Sequence, residues 1–257
     1  MPGKNEIDIS SGHAALDAFL AGPYGRIRGM SSRFSAAICG YLLRRQTALG
    51  IAGDMVEIGT FEGRFFIAMA MALEPAEHAL GIDLFNWPDE GVQDRFVCNC
   101  TAAGLAPGRF TTWKADTRAM TAGQLRSRLP GGTARFVHID GEHDDAPLSH
   151  DLELAHAVLH PDGIIALDDM LHPGYPMLIE TVLAYLRRCP EMRALCIVDR
   201  ESITAAAKLL ICRADRLALY ENDLMATFAR FHYIVGADVM GQLTLVLTPD
   251  PTPPKLD

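Results

Sequence analysis

No apolar run in the 257-residue chain approaches the ~20 residues that a membrane-spanning helix needs. The opening residues, Met1-Pro-Gly-Lys-Asn-Glu-Ile-Asp8, carry no apolar signal core, so a cytoplasmic location is expected. Positive charge is also short: 23 Lys and Arg face 32 Asp and Glu, a net charge of −9. That balance lacks the broad positive field that nucleic acid or an anionic membrane usually calls for, which leaves a small molecule as the expected partner. The six cysteines (Cys39, Cys98, Cys100, Cys189, Cys196 and Cys212) form no CxxC pair. Cys98-Asn-Cys100 has no second pair or histidine cluster at zinc spacing, so all six read as reduced thiols. What is present, 49% hydrophobic and 21% charged residues, fits one large globular domain with additions.

A strand–helix alternation starts at residue 54. Apolar strands fit Met55–Ile58, Ala79–Asp83, Phe110–Lys114, Arg135–Ile139 and Gly163–Leu167. Helices fit Phe65–Leu73, Gln93–Ala103, Ala119–Leu129 and Ala146–Leu159 between them, and Gly or Pro ends each helix. Five such units in a row predict an α/β doubly wound, mostly parallel sheet with helices on both faces. After a helix at 176–188, Leu195–Val198 and Lys208–Cys212 lie too close for a crossover helix and are expected to form a hairpin. Ser31–Leu49 has helical spacing, and the tail adds a helix near 217–228 and an apolar strand at Gln242–Leu247. That last strand is expected to pair with another chain and make a homodimer. Residues 1–49 form an N-terminal extension, 50–213 the core and 214–257 a C-terminal addition ending in a mobile Pro249–Pro254 stretch.

Ligands of open α/β sheets bind beyond the carboxyl ends of the strands. The first such turn here is Gly59-Thr60-Phe61-Glu62-Gly63, whose glycines permit a tight turn and close approach ahead of a helix N-terminus. The third glycine of the dinucleotide pattern is missing, which counts against NAD or FAD. Glu57 and Glu62 suit a ligand with a sulfonium and an ammonium better than a pyrophosphate. Asp83 ends the second strand, where an acid accepts ribose hydroxyls. Asp116 ends the third, where a side chain reaches an adenine edge. Thr60, Phe61, Leu84, Thr117 and Asp140 complete the candidate cofactor set.

Val56-Glu-Ile-Gly-Thr-Phe-Glu-Gly63 and Gly81-Ile-Asp-Leu-Phe85 resemble the first two motifs of class I S-adenosylmethionine-dependent methyltransferases. His138-Ile-Asp-Gly-Glu-His143 with Asp162-Gly-Ile-Ile-Ala-Leu-Asp-Asp169 is similar to the branch containing catechol-type and macrolide-sugar O-methyltransferases. The resemblance spans residues 50–213. It implies S-adenosylmethionine as cofactor, methyl transfer to a hydroxyl of a sugar or natural product, and seven strands in the order 3-2-1-4-5-7-6 with strand 7 antiparallel. A nicotinamide-dependent oxidoreductase and a non-catalytic binding module are the competing readings.

Asp140, Asp168 and Asp169 close neighbouring strands, so three carboxylates converge. Two unit charges ~4 Å apart repel by roughly 4 kcal/mol at an effective dielectric of 20, so either protons or a cation must join them. The resemblance implies Mg²⁺ or a similar divalent ion on Asp140, Asp168 and Asp169, with His143 as the catalytic base beside Asp140. An imidazole with pKa near 6.5 removes a hydroxyl proton at neutral pH. His172 is placed to face the acceptor, His138 reads as structural, and His156 and His160 as solvated. Tyr24, Arg26, Arg28 and Arg33 are positioned to read an acidic or sugar acceptor.

Overall fold

A computed structural model of the chain describes residues 7–202 and 204–251. In chain order the elements are α1 (Ala14–Ala21), α2 (Arg33–Ala48), β1 (Asp54–Ile58), α3 (Arg64–Met71), β2 (Ala79–Asp83), α4 (Val92–Ala102) and β3 (Phe110–Lys114). There follow α5 (Ala122–Ser127), β4 (Ala134–Ile139), α6 (Asp145–Val158), β5 (Leu159–Met170) and α7 (Leu178–Arg188). The chain continues through β6 (Met192–Val198), β7 (Ala207–Arg213), α8 (Leu217–Thr227), β8 (Ala237–Val239) and β9 (Gln242–Leu247).

The sheet runs β3-β2-β1-β4-β5-β7-β6-β9-β8. Its first seven strands follow the expected order, and β7 is antiparallel to both β5 and β6. The correction is the strand number, nine among the described residues rather than seven. β9 pairs in parallel with β6, and β8 pairs antiparallel with β9. The expected use of Gln242–Leu247 against another chain is thereby withdrawn, because β6 and β8 hold both of its edges. The expected single helix over 119–129 is a 3₁₀ turn at Thr117–Ala119 followed by the short α5. Part of the Pro249–Pro254 stretch, from 252 on, lies outside the described residues.

Side-chain alternation sorts the core into two layers. Met55, Phe136, Ile164, Ala166 and Leu210 face α1, α2, α3 and α8. Val56, Ile58, Val137, Ile165 and Leu209 face α5, α6 and α7. Among the first layer's residues stands a polar row. Glu57 pairs in register with His138, His138 with Ala166, and Lys208 sits two residues before Leu210. Charged groups this deep are costly unless they satisfy one another, so their arrangement defines the chemistry of that face.

The described part of the N-terminal extension is fastened over the carboxyl ends of the strands. Arg64 at the start of α3 donates to the carbonyls of Ile27 (2.8 Å) and Gly29 (2.6 Å). The buried Tyr24 hydroxyl reaches the carbonyls of Ser31 and Ser32 at 3.0 Å each. Tyr24 is therefore a brace for the backbone rather than a reader of an acceptor.

Candidate active site

The turn after β1 is built by Asp83. Its Oδ2 accepts from the backbone N–H groups of Thr60 (2.8 Å) and Phe61 (2.9 Å), and its Oδ1 from Phe85 (2.7 Å). One carboxylate thus ties the β1–α3 turn to the β2–α4 turn. Gly59 has φ +83, and a Cβ there would lie 1.9 Å from the Asp140 carbonyl oxygen. Only glycine lets β1 and β4 emerge this close together. Gly63 has φ +86 and caps α3.

Between these turns opens a cavity of about 530 Å³, lined by Gly59, Asp83, Leu84, Trp87, Asp116, Thr117, Asp140 and His143 among others. That volume is within the roughly 300–1,000 Å³ usual for small-molecule sites. A narrower recess beside it is lined by Glu57, Thr60, Phe61, Asp140 and Ser31. The structure therefore brings every expected cofactor residue except Gly63 to one of two adjoining hollows. Glu57 holds His138 Nδ1 at 2.6 Å through Oε1, while Oε2 is buried with no hydrogen-bond partner among the described residues. Burial pushes the Glu57 carboxyl well above its usual range. An unpartnered acidic oxygen at this recess fits the ammonium of an amino-acid-like cofactor tail.

Two of the expected acidic residues already have protein partners. Glu62 is engaged by Arg28 (2.9 Å) and Arg95 (2.7 Å), so its charge is already met. Asp116 caps the 3₁₀ turn through the Arg118 N–H (3.0 Å) and pairs with the Arg118 guanidinium (2.8 Å), so it shapes the cavity wall.

In the wall of the same cavity, His143 Nε2 lies 2.6 Å from Asp169 Oδ2 and 3.8 Å from Asp140 Oδ1. The His143 ring stacks on Tyr175 at 4.2 Å, and His172 stacks on the same tyrosine at 5.0 Å. The Asp140 and Asp169 carboxylates that face it raise His143 to about 10, rather than the expected 6.5. Burial, with Asp168 nearby, raises Asp140 to about 7. Burial alone would raise Asp169, but His143 draws it below its usual range.

The expected cation ligands do not form one set. Asp168 Oδ2 is paired with Lys208 Nζ and accepts from Ser31 Oγ (3.1 Å), while its Oδ1 accepts the Asp169 N–H (2.9 Å). Asp169 has φ +56, an uncommon conformation for a non-glycine residue, which turns its side chain away toward His143. His138, read as structural, is a buried link between Glu57 and Lys208 (2.9 Å). Neither was His156 solvated, since its Nδ1 meets the Tyr185 hydroxyl at 2.7 Å. Sequence reading passed over Lys208, Ser31, Trp87, Arg118 and Tyr175. Of these, Lys208 alone carries a sequence signal, a lysine in the otherwise apolar strand Lys208-Leu-Leu-Ile-Cys212.

Residues 56–170 match the family described as a methyltransferase domain. No curated protein matches the sequence. Solved structures similar to the chain include a putative O-methyltransferase from Klebsiella pneumoniae, at 20% identity and TM-score 0.55, covering 79% of this chain and 90% of that one. An O-methyltransferase from Bacillus cereus in complex with SAH matches at 16% identity and TM-score 0.58, covering 77% and 89%. CalS11, a TDP-rhamnose 3′-O-methyltransferase of calicheamicin biosynthesis, matches at 18% identity and TM-score 0.56, covering 78% and 92%. At these identities the structural likeness is one of fold. Residues 56–170 thus match a methyltransferase domain, carried on the fold of these solved structures.

Proposed function

We propose that the protein transfers a methyl group from S-adenosylmethionine to a hydroxyl of a small acceptor, a sugar or natural product, in the cytoplasm. The observation that carries this reading is the Asp140–His143–Asp169 constellation, whose Asp140 and His143 line the same cavity as Asp83 and Asp116. An alcohol oxygen is a poor nucleophile until its proton leaves, and an imidazole backed by carboxylates is the group that takes it. In the transfer, an acceptor oxygen lone pair forms the O–C bond as the C–S bond breaks. The sulfur keeps the bonding pair and becomes neutral, and the hydroxyl proton passes to neutral His143. Asp140 and Asp169 stabilise the imidazolium that results. They make His143 a stronger base while restricting its neutral form to alkaline pH.

The cofactor contacts proposed are the ammonium on Glu57, the ribose beside Asp83 and Leu84, and the adenine against Asp116 and Thr117. Thr60, Phe61 and Gly63 shape the turn beneath the tail. The N-terminal extension, with Met30 and Ser31 at the recess, is proposed as the acceptor cover. The expected Mg²⁺ assistance does not fit the residues: Asp168 has both oxygens occupied. Asp140, His143 and Asp169 lie close enough together to hold an ion, but that set leaves out Asp168 and would take His143 from its proposed role as base. No step is therefore routed through a metal.

The test is a panel of sugar nucleotides, phenols and amines incubated with S-adenosylmethionine, with S-adenosylhomocysteine production as readout. Turnover with hydroxylated acceptors and a product 14 Da heavier at oxygen is expected. Turnover with amines alone would overturn transfer to oxygen.

A further inference from the structure

Lys208 is completely buried on β7, beneath the acidic cluster. A lysine ammonium has three hydrogens to donate and no means of leaving them unsatisfied in an apolar setting. Here all three find acceptors: Asp168 Oδ2, His138 Nε2 at 2.9 Å and Ser31 Oγ at 3.2 Å. The Phe65 ring lies 4.5 Å from Nζ and adds a cation–π contact. The contact to His138 fixes that ring's tautomer. Nε2 accepts from the ammonium, so Nδ1 carries the hydrogen and donates to Glu57.

We propose that Lys208 is a built-in cation that takes the place of a divalent metal ion at the carboxyl ends of β4 and β5. This inference rests on the methyltransferase reading. The ammonium occupies Asp168, which the metal would require, and its charge repels a second cation from the adjoining Asp140. It also transmits a hydrogen-bond order through His138 to Glu57, leaving Glu57 Oε2 for the cofactor. The cluster's need for positive charge is therefore met from within the chain, by Lys208 at Asp168 and by His143 between Asp140 and Asp169. Lys208 acts as a positioning residue, since its burial keeps it from the substrates themselves.

The experiment uses the full chain, stripped with chelator and saturated with S-adenosylhomocysteine, whose binding is measured first by calorimetry. Failure of that binding would sink the methyltransferase reading; everything after it tests Lys208. Mn²⁺ is then titrated in and free ion is read by electron paramagnetic resonance. The expected result is no Mn²⁺ retained by the wild-type protein and S-adenosylhomocysteine affinity unchanged by the chelator. Stoichiometric Mn²⁺ binding that Asp168→Asn abolishes would overturn the proposal. In parallel, ¹⁵N spectra of the His138 ring should show a protonated Nδ1 and a bare Nε2 in the wild type. Lys208→Met should change that pattern and Lys208→Arg should preserve an acceptor Nε2. A wild-type Nε2 that carries hydrogen would also overturn the proposal, whether or not the variants fold.

Discussion

Replacing Asp83 by alanine removes one carboxylate and three backbone hydrogen bonds at once. Hydrogen bonds to a charged partner contribute roughly 1.5–3 kcal/mol each, so the simple sum is an upper bound of about 9 kcal/mol. Asp83 is half-buried and borders the open cavity, where water replaces part of what is lost. A combined loss on the order of 3 kcal/mol is therefore expected, divided between fold stability and cofactor affinity. Placed entirely in binding, that corresponds to about 100-fold weaker S-adenosylhomocysteine affinity. Calorimetry on the folded variant gives the binding share, and a urea melt gives the stability share. Asp83→Asn, which keeps the volume and one acceptor, should fall between wild type and alanine. Unchanged affinity together with an unchanged urea midpoint in Asp83→Ala would refute the view that this carboxylate organises both turns.

Four further predictions address other parts of the account. Gly59→Ala should cost about 3 kcal/mol in a urea melt, from left-handed strain plus the clash with the Asp140 carbonyl. Gly104→Ala, at φ +87 but with nothing within 4 Å, should cost only about 1 kcal/mol, and equal losses would remove the close-approach argument. His143→Ala should lower turnover by about 10²–10⁴-fold while leaving S-adenosylhomocysteine affinity within a few-fold, which initial rates and calorimetry separate. Turnover should rise with pH through the alkaline range, because neutral His143 forms only as pH approaches about 10. Asp169→Asn should move that rise to lower pH. The same shift makes a stability prediction. A raised histidine stabilises the fold fully below about 6.5, and the contribution is lost as pH climbs through about 10. Urea midpoints across that window should fall in the wild type more steeply than in His143→Ala.

Much of the fold follows from local pattern. Phe110–Lys114 and Gln242–Leu247 are bounded by turn residues, and both strands form over those limits. The Leu195 to Cys212 spacing forbids a crossover helix, and β6 and β7 are indeed antiparallel. β8 escaped because Ala-Asp-Val is too short to show alternation and follows a glycine turn. The site was legible where one residue marks a strand end, as Asp83 and Asp140 do. It was not legible where function depends on which way a side chain turns. Asp168 and Asp169 are adjacent in sequence, yet one meets Lys208 and the other meets His143. Nor does a strand pattern reveal that a lysine far along the chain neutralises an aspartate on the neighbouring strand. That pairing exists only once β7 lies beside β5.

The central claim, an S-adenosylmethionine site at the carboxyl ends of β1, β2 and β4, meets its most direct test in paired calorimetric titrations of the full chain. S-Adenosylhomocysteine should bind one-to-one, and NADH should give no heat of binding. Saturable NADH binding with none for S-adenosylhomocysteine would contradict the account.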